Sequence, residues 1–183
     1  MRSYDPLDEP SLFEDRDFLN IFQRYFGYMA YPETRRPVSS TLLIALEVFY
    51  GILGLISGSM LISDPSGAML GFTSDIRDKV PFQSFLPVGL FLFLIYGVGS
   101  LLLAYGALTR KELFLGRISQ VARHHWSWFG GMLLTVVLMI WLAVEGSLIG
   151  LDWPATYFTV LIGVGVFVML ILPPTTRYYR LQP

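Results

Sequence analysis

Two carboxylates stand inside otherwise apolar runs: Glu47 within residues 41–62 and Glu145 within residues 128–150. An ionisable side chain at that depth in a bilayer costs some kilocalories unless it is paired or wetted, so each marks a candidate functional position. At about 100° per residue on a helix, Glu47 shares one stripe with Gly51, Gly54 and Gly58. Glycines admit a neighbouring helix, so this stripe is expected to face protein rather than lipid. By the same geometry Glu145 shares a face with Leu134, Leu138 and Trp141, and Gly89, Tyr96, Ser100 and Ala107 make a small, polar stripe on the intervening run. The stripes suggest an inward polar line of Glu47, Ser100, Tyr96 and Glu145. The two glutamates are offset by roughly 15 Å of helix rise. That exceeds the about 10 Å within which paired carboxylates act on one bond, so neither a shared metal nor a joint acid–base role is expected. The readings left are a packed, hydrogen-bonded acid, a site for a ligand or lipid headgroup, and a polar path.

His124 and His125 are the only histidines, and they are adjacent. Neighbouring helical residues point about 100° apart, so the pair is poorly placed to share a metal and each is at most a weak candidate for a surface ligand. Trp126, Trp128 and Trp153, with Arg177 and Arg180, are expected to anchor the membrane–water interface. The chain contains no cysteine, G-x-S-x-G, phosphate-binding loop or His-Glu-x-x-His. Gly146 and Gly150 repeat the small-xxx-small spacing of close helix contact. No cofactor is expected, while bound lipid is.

The elements that must position these residues follow from hydropathy. Of 183 residues 54% are hydrophobic and 15% charged; mean hydropathy is +0.55. A soluble domain carries about 25% charged residues. Four apolar runs, 41–62, 85–108, 128–150 and 156–172, each have about the length a helix needs to cross some 30 Å of hydrocarbon. An isolated strand there would leave its backbone unpaired, so the fold class is an all-α four-helix transmembrane bundle. Residues 1–40 are a separate arm. Within it Phe18, Phe22, Tyr25 and Met29 form the apolar face of an interfacial amphipathic helix, which either docks on the bundle itself or offers a handle to a partner. Pro32 and Pro37 separate the arm from the first span, which Ser39, Ser40 or Thr41 is placed to cap. Residues 175–183 form a short tail.

Of the basic residues, Arg77 and Lys79 alone fall in the connections assigned to the outer side. The positive-inside rule therefore places both termini and the middle connection in the cytoplasm of a multi-pass inner-membrane protein. No signal-peptide h-region precedes the first span, which is expected to remain as an anchor. A formal net charge of −1 gives no basic field for nucleic acid.

The segments Asp64-Pro65-Ser66-Gly67-Ala68-Met69-Leu70-Gly71, Pro81-Phe82, Leu86-Pro87-Val88-Gly89-Leu90 and Gly97-Val98-Gly99 resemble a group of small, uncharacterised four-helix bacterial integral membrane proteins. Trp141 to Glu145 and Leu148-Ile149-Gly150 are similar to that group's third span. The likeness covers roughly residues 41–174. It implies the four-helix fold and an acid at position 145, and no activity. A looser similarity to DoxX-like proteins is architectural only.

With no catalytic set in view, the leading expectation is a non-catalytic structural or accessory subunit. It would pack against other membrane proteins or against itself, with a respiratory or photosynthetic complex among the hosts that fit. The alternatives are a carrier for a small solute or proton using Glu47, Tyr96 and Glu145, and, less favoured, a lipid-modifying enzyme.

Overall fold

A computed structural model describes residues 35–80, 83–112, 116–151 and 153–181. The proposed amphipathic helix through Phe18, Phe22, Tyr25 and Met29 lies outside the described residues. Helix α1 spans Val38–Ser63. A 3-10 turn at Ala68–Leu70 and the short α2, Ser74–Arg77, follow. The long helix α3 runs over Leu86–Thr109, with a π-helical stretch at Leu92–Gly99. Then come α4 (Gly116–Ala122), α5 (Trp126–Leu148), α6 (Pro154–Ile171) and α7 (Pro173–Tyr179). Helices α1, α3, α5 and α6 are the four among the described residues that are long and apolar enough to cross a membrane. They form an all-α bundle in which each neighbours the next in the chain and α6 closes back on α1. One isolated bridge, His124 to Arg180, is the only strand-like pairing among the described residues.

The α1–α3 contact is the closest, and glycine makes it. A Cβ on Gly54 would sit 2.6 Å from Gly97 N, and one on Gly58 would sit 2.6 Å from Phe93 N. Against this stripe α3 presents Gly89, Phe93, Gly97 and Leu101, spaced every four residues. On an α-helix four residues overshoot a full turn by about 40°, so three such steps drift by about 120°. The wider π turns remove part of that drift and keep the ridge on α1. They also let Gly89 pack on α1 while Tyr96 turns towards the bundle interior.

The end that holds the start of α1 and the end of α6 is called basal here, and the opposite end distal. The basal end is sealed by hydrogen bonds between elements. Thr175 donates to Ser39 Oγ (2.8 Å), Trp128 Nε1 to Leu170 O (2.9 Å), Tyr179 OH to Ala107 O (3.0 Å) and Arg36 to Leu108 O (2.6 Å). Helix α7 folds across this end with Tyr178 and Tyr179 buried. Its remoteness from solvent, and next the nearby Glu47 carboxyl, push the Tyr179 phenol up from its ordinary pKa, so it stays a proton donor.

Four sequence expectations change. Ser39, Ser40 and Thr41 lie inside the first turn of α1, whose N-cap is Pro37 with no side-chain cap; Ser39 serves Thr175 instead. Trp126 is no lipid-facing anchor: it is 3% exposed and its indole donates to Lys111 O at 3.0 Å. Gly146 faces Leu151 of its own hairpin, not another helix. Gly150, at φ +86°, supplies the left-handed residue that lets the chain leave α5.

His125 is the N-cap of α5, its ring accepting from Ser127 N. With Nδ1 accepting, the ring proton sits on Nε2, 3.9 Å from Glu112 Oε1. Burial pulls the His125 pKa below its usual 6.5, with Glu112 opposing the shift and Arg110 adding to it. Protonation then favours the opened basal end: the cap is intact above about pH 6.5 and is lost as pH falls through the depressed folded value. Melting temperature in mild detergent is therefore expected to fall with acidification below 6.5. His125→Asn, which keeps a capping oxygen, should flatten that slope; equal slopes in the two proteins would contradict the assignment.

Candidate functional site

The distal half of the bundle is built differently. Helix α3 packs on α5 through its basal stretch, where Gly130 lies under Leu103. Helix α6 meets α1 and α5 at Gly165 and Gly163, against Leu46 and Leu138. Above these contacts the helices part around a cavity of about 670 Å³. That is within the about 300–1,000 Å³ usual for small-molecule sites.

Its roof comes from the connection between α1 and α3. Gly67, at φ +79°, has room for no Cβ because Phe72 and Phe85 press on it. Asp64 organises the turn: Ser66 Oγ donates to it at 2.6 Å, and the backbone amides of Ser66 and Met69 donate at 3.1 Å each. Those bonds, the Ser66 hydroxyl first, hold the Asp64 carboxyl below its ordinary pKa. Phe72 stacks on Phe85 at 4.6 Å and meets Trp153 edge-on at 5.4 Å, which closes the distal end. Phe49, Leu53 and Ile56 of α1 and Phe158 of α6 line the cavity yet are exposed. The cavity therefore opens sideways between α1 and α6, towards the lipid.

The walls are mostly apolar; beside Ser57, Ser84 and Thr159, the polar side chains that line them gather around Glu145. Glu145 accepts a short hydrogen bond from Thr156 Oγ1. Tyr96 is 1% exposed and its hydroxyl has no hydrogen-bond partner among the described residues. Tyr50 and Tyr96 stand 5.2 Å apart, ring to ring, and both hydroxyls are within electrostatic reach of Glu145. Phe91 packs against this group, stacked on Trp141 at 5.0 Å and edge-on to Tyr96 at 5.4 Å. All of Tyr50, Tyr96, Trp141, Glu145 and Thr156 line the cavity.

Of the expected polar line, Tyr96 and Glu145 therefore come together, while Glu47 and Ser100 do not join them. Glu47 is 1% exposed and borders a separate void of about 10 Å³. Its Oε1 faces Gly131, and Oε2 has no hydrogen-bond partner among the described residues. Ser100 is buried, and its hydroxyl has no hydrogen-bond partner among the described residues. Tyr50 borders both spaces and stands between the two glutamates. Sequence reasoning missed Tyr50 and Thr156. Tyr50 was legible in principle, since it follows Glu47 by one helical turn. Thr156 was not, because its role depends on the hairpin geometry.

His124 and His125 diverge. His124 stacks on Trp128 at 4.3 Å and donates to Ala122 O, while His125 caps α5. Among the described residues no cluster of three His, Cys, Asp or Glu is arranged to hold a metal. Gly51, Gly54 and Gly58 are occupied by α3. Arg177 and Arg180 are exposed at the basal end, and Trp153 is half-buried in the distal roof. No family model, curated protein or solved structure matches the chain.

Proposed function

We propose that this membrane protein is a non-catalytic binder of an amphipathic, lipid-like ligand. The ligand enters from the bilayer between α1 and α6, keeps its apolar part against Phe49, Leu53, Ile56 and Phe158, and sets its head on Tyr96, Glu145 and Thr156. The supporting observation is the combination of a side-opening, mostly apolar cavity with one carboxylate, Glu145, held by Thr156 on its wall. A lipid tail gains nothing in apolar burial by leaving the bilayer, so recognition falls to the head. We further propose an inner-membrane location with the basal end in the cytoplasm, on the basis of the basic residues gathered there.

Two other readings weaken by comparison. A carrier that uses Glu47 together with Glu145 needs both in one space, and Tyr50 separates them. An accessory subunit drew its support from the lack of a catalytic set, the amphipathic arm and the glycine stripes; of these, the α1 stripe is filled by α3, while the arm lies outside the described residues. Native mass spectrometry after extraction in mild detergent tests the binding reading. The protein should retain a lipid-sized adduct that resists delipidation, and Ser57→Trp or Thr159→Trp, which fill the cavity from its walls, should remove it. Absence of any retained adduct, or retention unchanged in both variants, would contradict the proposal.

A further inference from the structure

Charge in the cavity points to the kind of head it accepts. Among the described residues the lining includes Glu145 but no lysine, arginine or histidine. The carboxylate is half-buried, and its mapped hydrogen bond comes from Thr156, a neutral donor. A carboxylate in a largely apolar enclosure, with no cation in the walls, gains most from a ligand that brings the positive charge. The rings point the same way. Tyr50, Tyr96 and Trp141 line the cavity with Glu145. Aromatic faces attract ammonium groups, tryptophan most strongly, and more so away from water. An anionic head would meet Glu145 with no counter-charge. A zwitterionic phosphate head would carry its own anion into the same enclosure.

We propose that the cavity is selective for a single-tailed cationic amphiphile, an alkyl ammonium whose positive head sits between Glu145 and the Tyr50, Tyr96 and Trp141 rings. This rests on the lipid-like-ligand reading above and names its chemistry. Trp141 and Glu145 are one helical turn apart on α5, so ring and carboxylate present to the same space. The Tyr96 hydroxyl, without a hydrogen-bond partner among the described residues, can accept from a primary ammonium.

The test uses one tail and four heads. The full-length protein in phosphatidylcholine nanodiscs is titrated with dodecyltrimethylammonium, dodecanol, dodecanoate and dodecylphosphocholine, each corrected for partition into empty discs. The cation is expected to bind about tenfold or more tightly than dodecanol. Dodecanoate and dodecylphosphocholine should bind no better than dodecanol. Glu145→Gln should bring the cation down to the level of dodecanol measured on the same variant. Trp141→Leu should weaken the cation by a smaller factor. Equal or tighter binding of dodecanol, dodecanoate or the zwitterion to the wild-type protein would overturn the charge inference while sparing the cavity. So would a cation preference that survives Glu145→Gln. No binding of any of the four above empty discs would overturn both. The wild-type series decides the matter without any variant, so a Glu145→Gln protein that fails to fold does not obstruct it.

Discussion

Tyr179→Ala is expected to cost about 3–5 kcal/mol, the usual range for removing a buried aromatic ring. Tyr179 is 0% exposed and reaches from α7 to Ala107 O on α3, while its own carbonyl accepts from His125 N at 2.8 Å. The ring thus joins the last helix to α3 and to the start of α5. With total stabilities of about 5–15 kcal/mol, a loss of that size removes a large share of the margin. For a chain of this length it lowers the melting temperature by about 10 °C or more. Tyr179→Phe isolates the hydroxyl, which should contribute about 1 kcal/mol. Thermal unfolding in mild detergent reads both. A Tyr179→Ala protein that melts with the wild type would mean that α7 is an appendage and the basal end is sealed by something else. Stopping the chain after Leu172 should be at least as damaging, since it also removes Thr175 and its bond to Ser39.

Gly54→Leu is expected to be worse still for the bundle, because the obstruction is backbone. Even its first atom, the Cβ, would lie 2.6 Å from Gly97 N and 2.7 Å from Tyr96 C. No rotamer relieves a clash made by Cβ, so α1 and α3 must separate. That breaks the contact on either side of it, at Gly51 against Leu101 and at Gly58 against Phe93. Overpacking in a well-packed core costs about 1–3 kcal/mol when side chains can shift, and more when they cannot. The variant should give little monodisperse protein, and what survives should lose the cavity, because Tyr96 is carried on the displaced segment. Gly99→Ala is the matched control on α3: its nearest neighbour is Leu94 O at 3.5 Å, an ordinary contact. A Gly54→Leu protein with wild-type yield and melting temperature would contradict the close α1–α3 packing.

These two sites show what the sequence made legible. The α1 stripe of Gly51, Gly54 and Gly58 could be read because small residues at helical spacing in an apolar run have one main use. The four spanning helices could be read because hydrocarbon thickness sets their length. Helix α7 was read only as a tail, since a seven-residue helix that opens on two prolines carries little periodic signal. Its signature was nevertheless present: Pro173 at the helix start and Thr175, Tyr178 and Tyr179 at one helical face. The π stretch in α3 had no such signature. It goes with a four-residue ridge of α3 that stays against the glycine stripe of α1, which is a property of the pair.

The candidate site was half legible. Tyr96 and Glu145 were found because polar groups in apolar runs stand out. Grouping Glu47 with them assumed that inward-facing residues on different helices share one space. The α1–α3 pair and the α5–α6 pair meet at the basal end and part at the distal end, which divides the interior instead, and Tyr50 borders both spaces. Trp126 was misassigned because an aromatic residue near a span end is a weak guide to which side of the helix it takes. Its neighbour Gly106, against which a Cβ would lie 2.3 Å from the indole, makes the space that draws it inward.

The most direct measurement is an experimental structure of the protein in a lipid nanodisc, without added ligand. Elongated density is expected that enters between α1 and α6, runs past Phe49 and Phe158, and ends in a compact head beside Glu145, Tyr96 and Trp141. A distal half closed by Phe49 and Phe158 meeting across the opening, with no space left above Tyr96, would contradict the binding proposal.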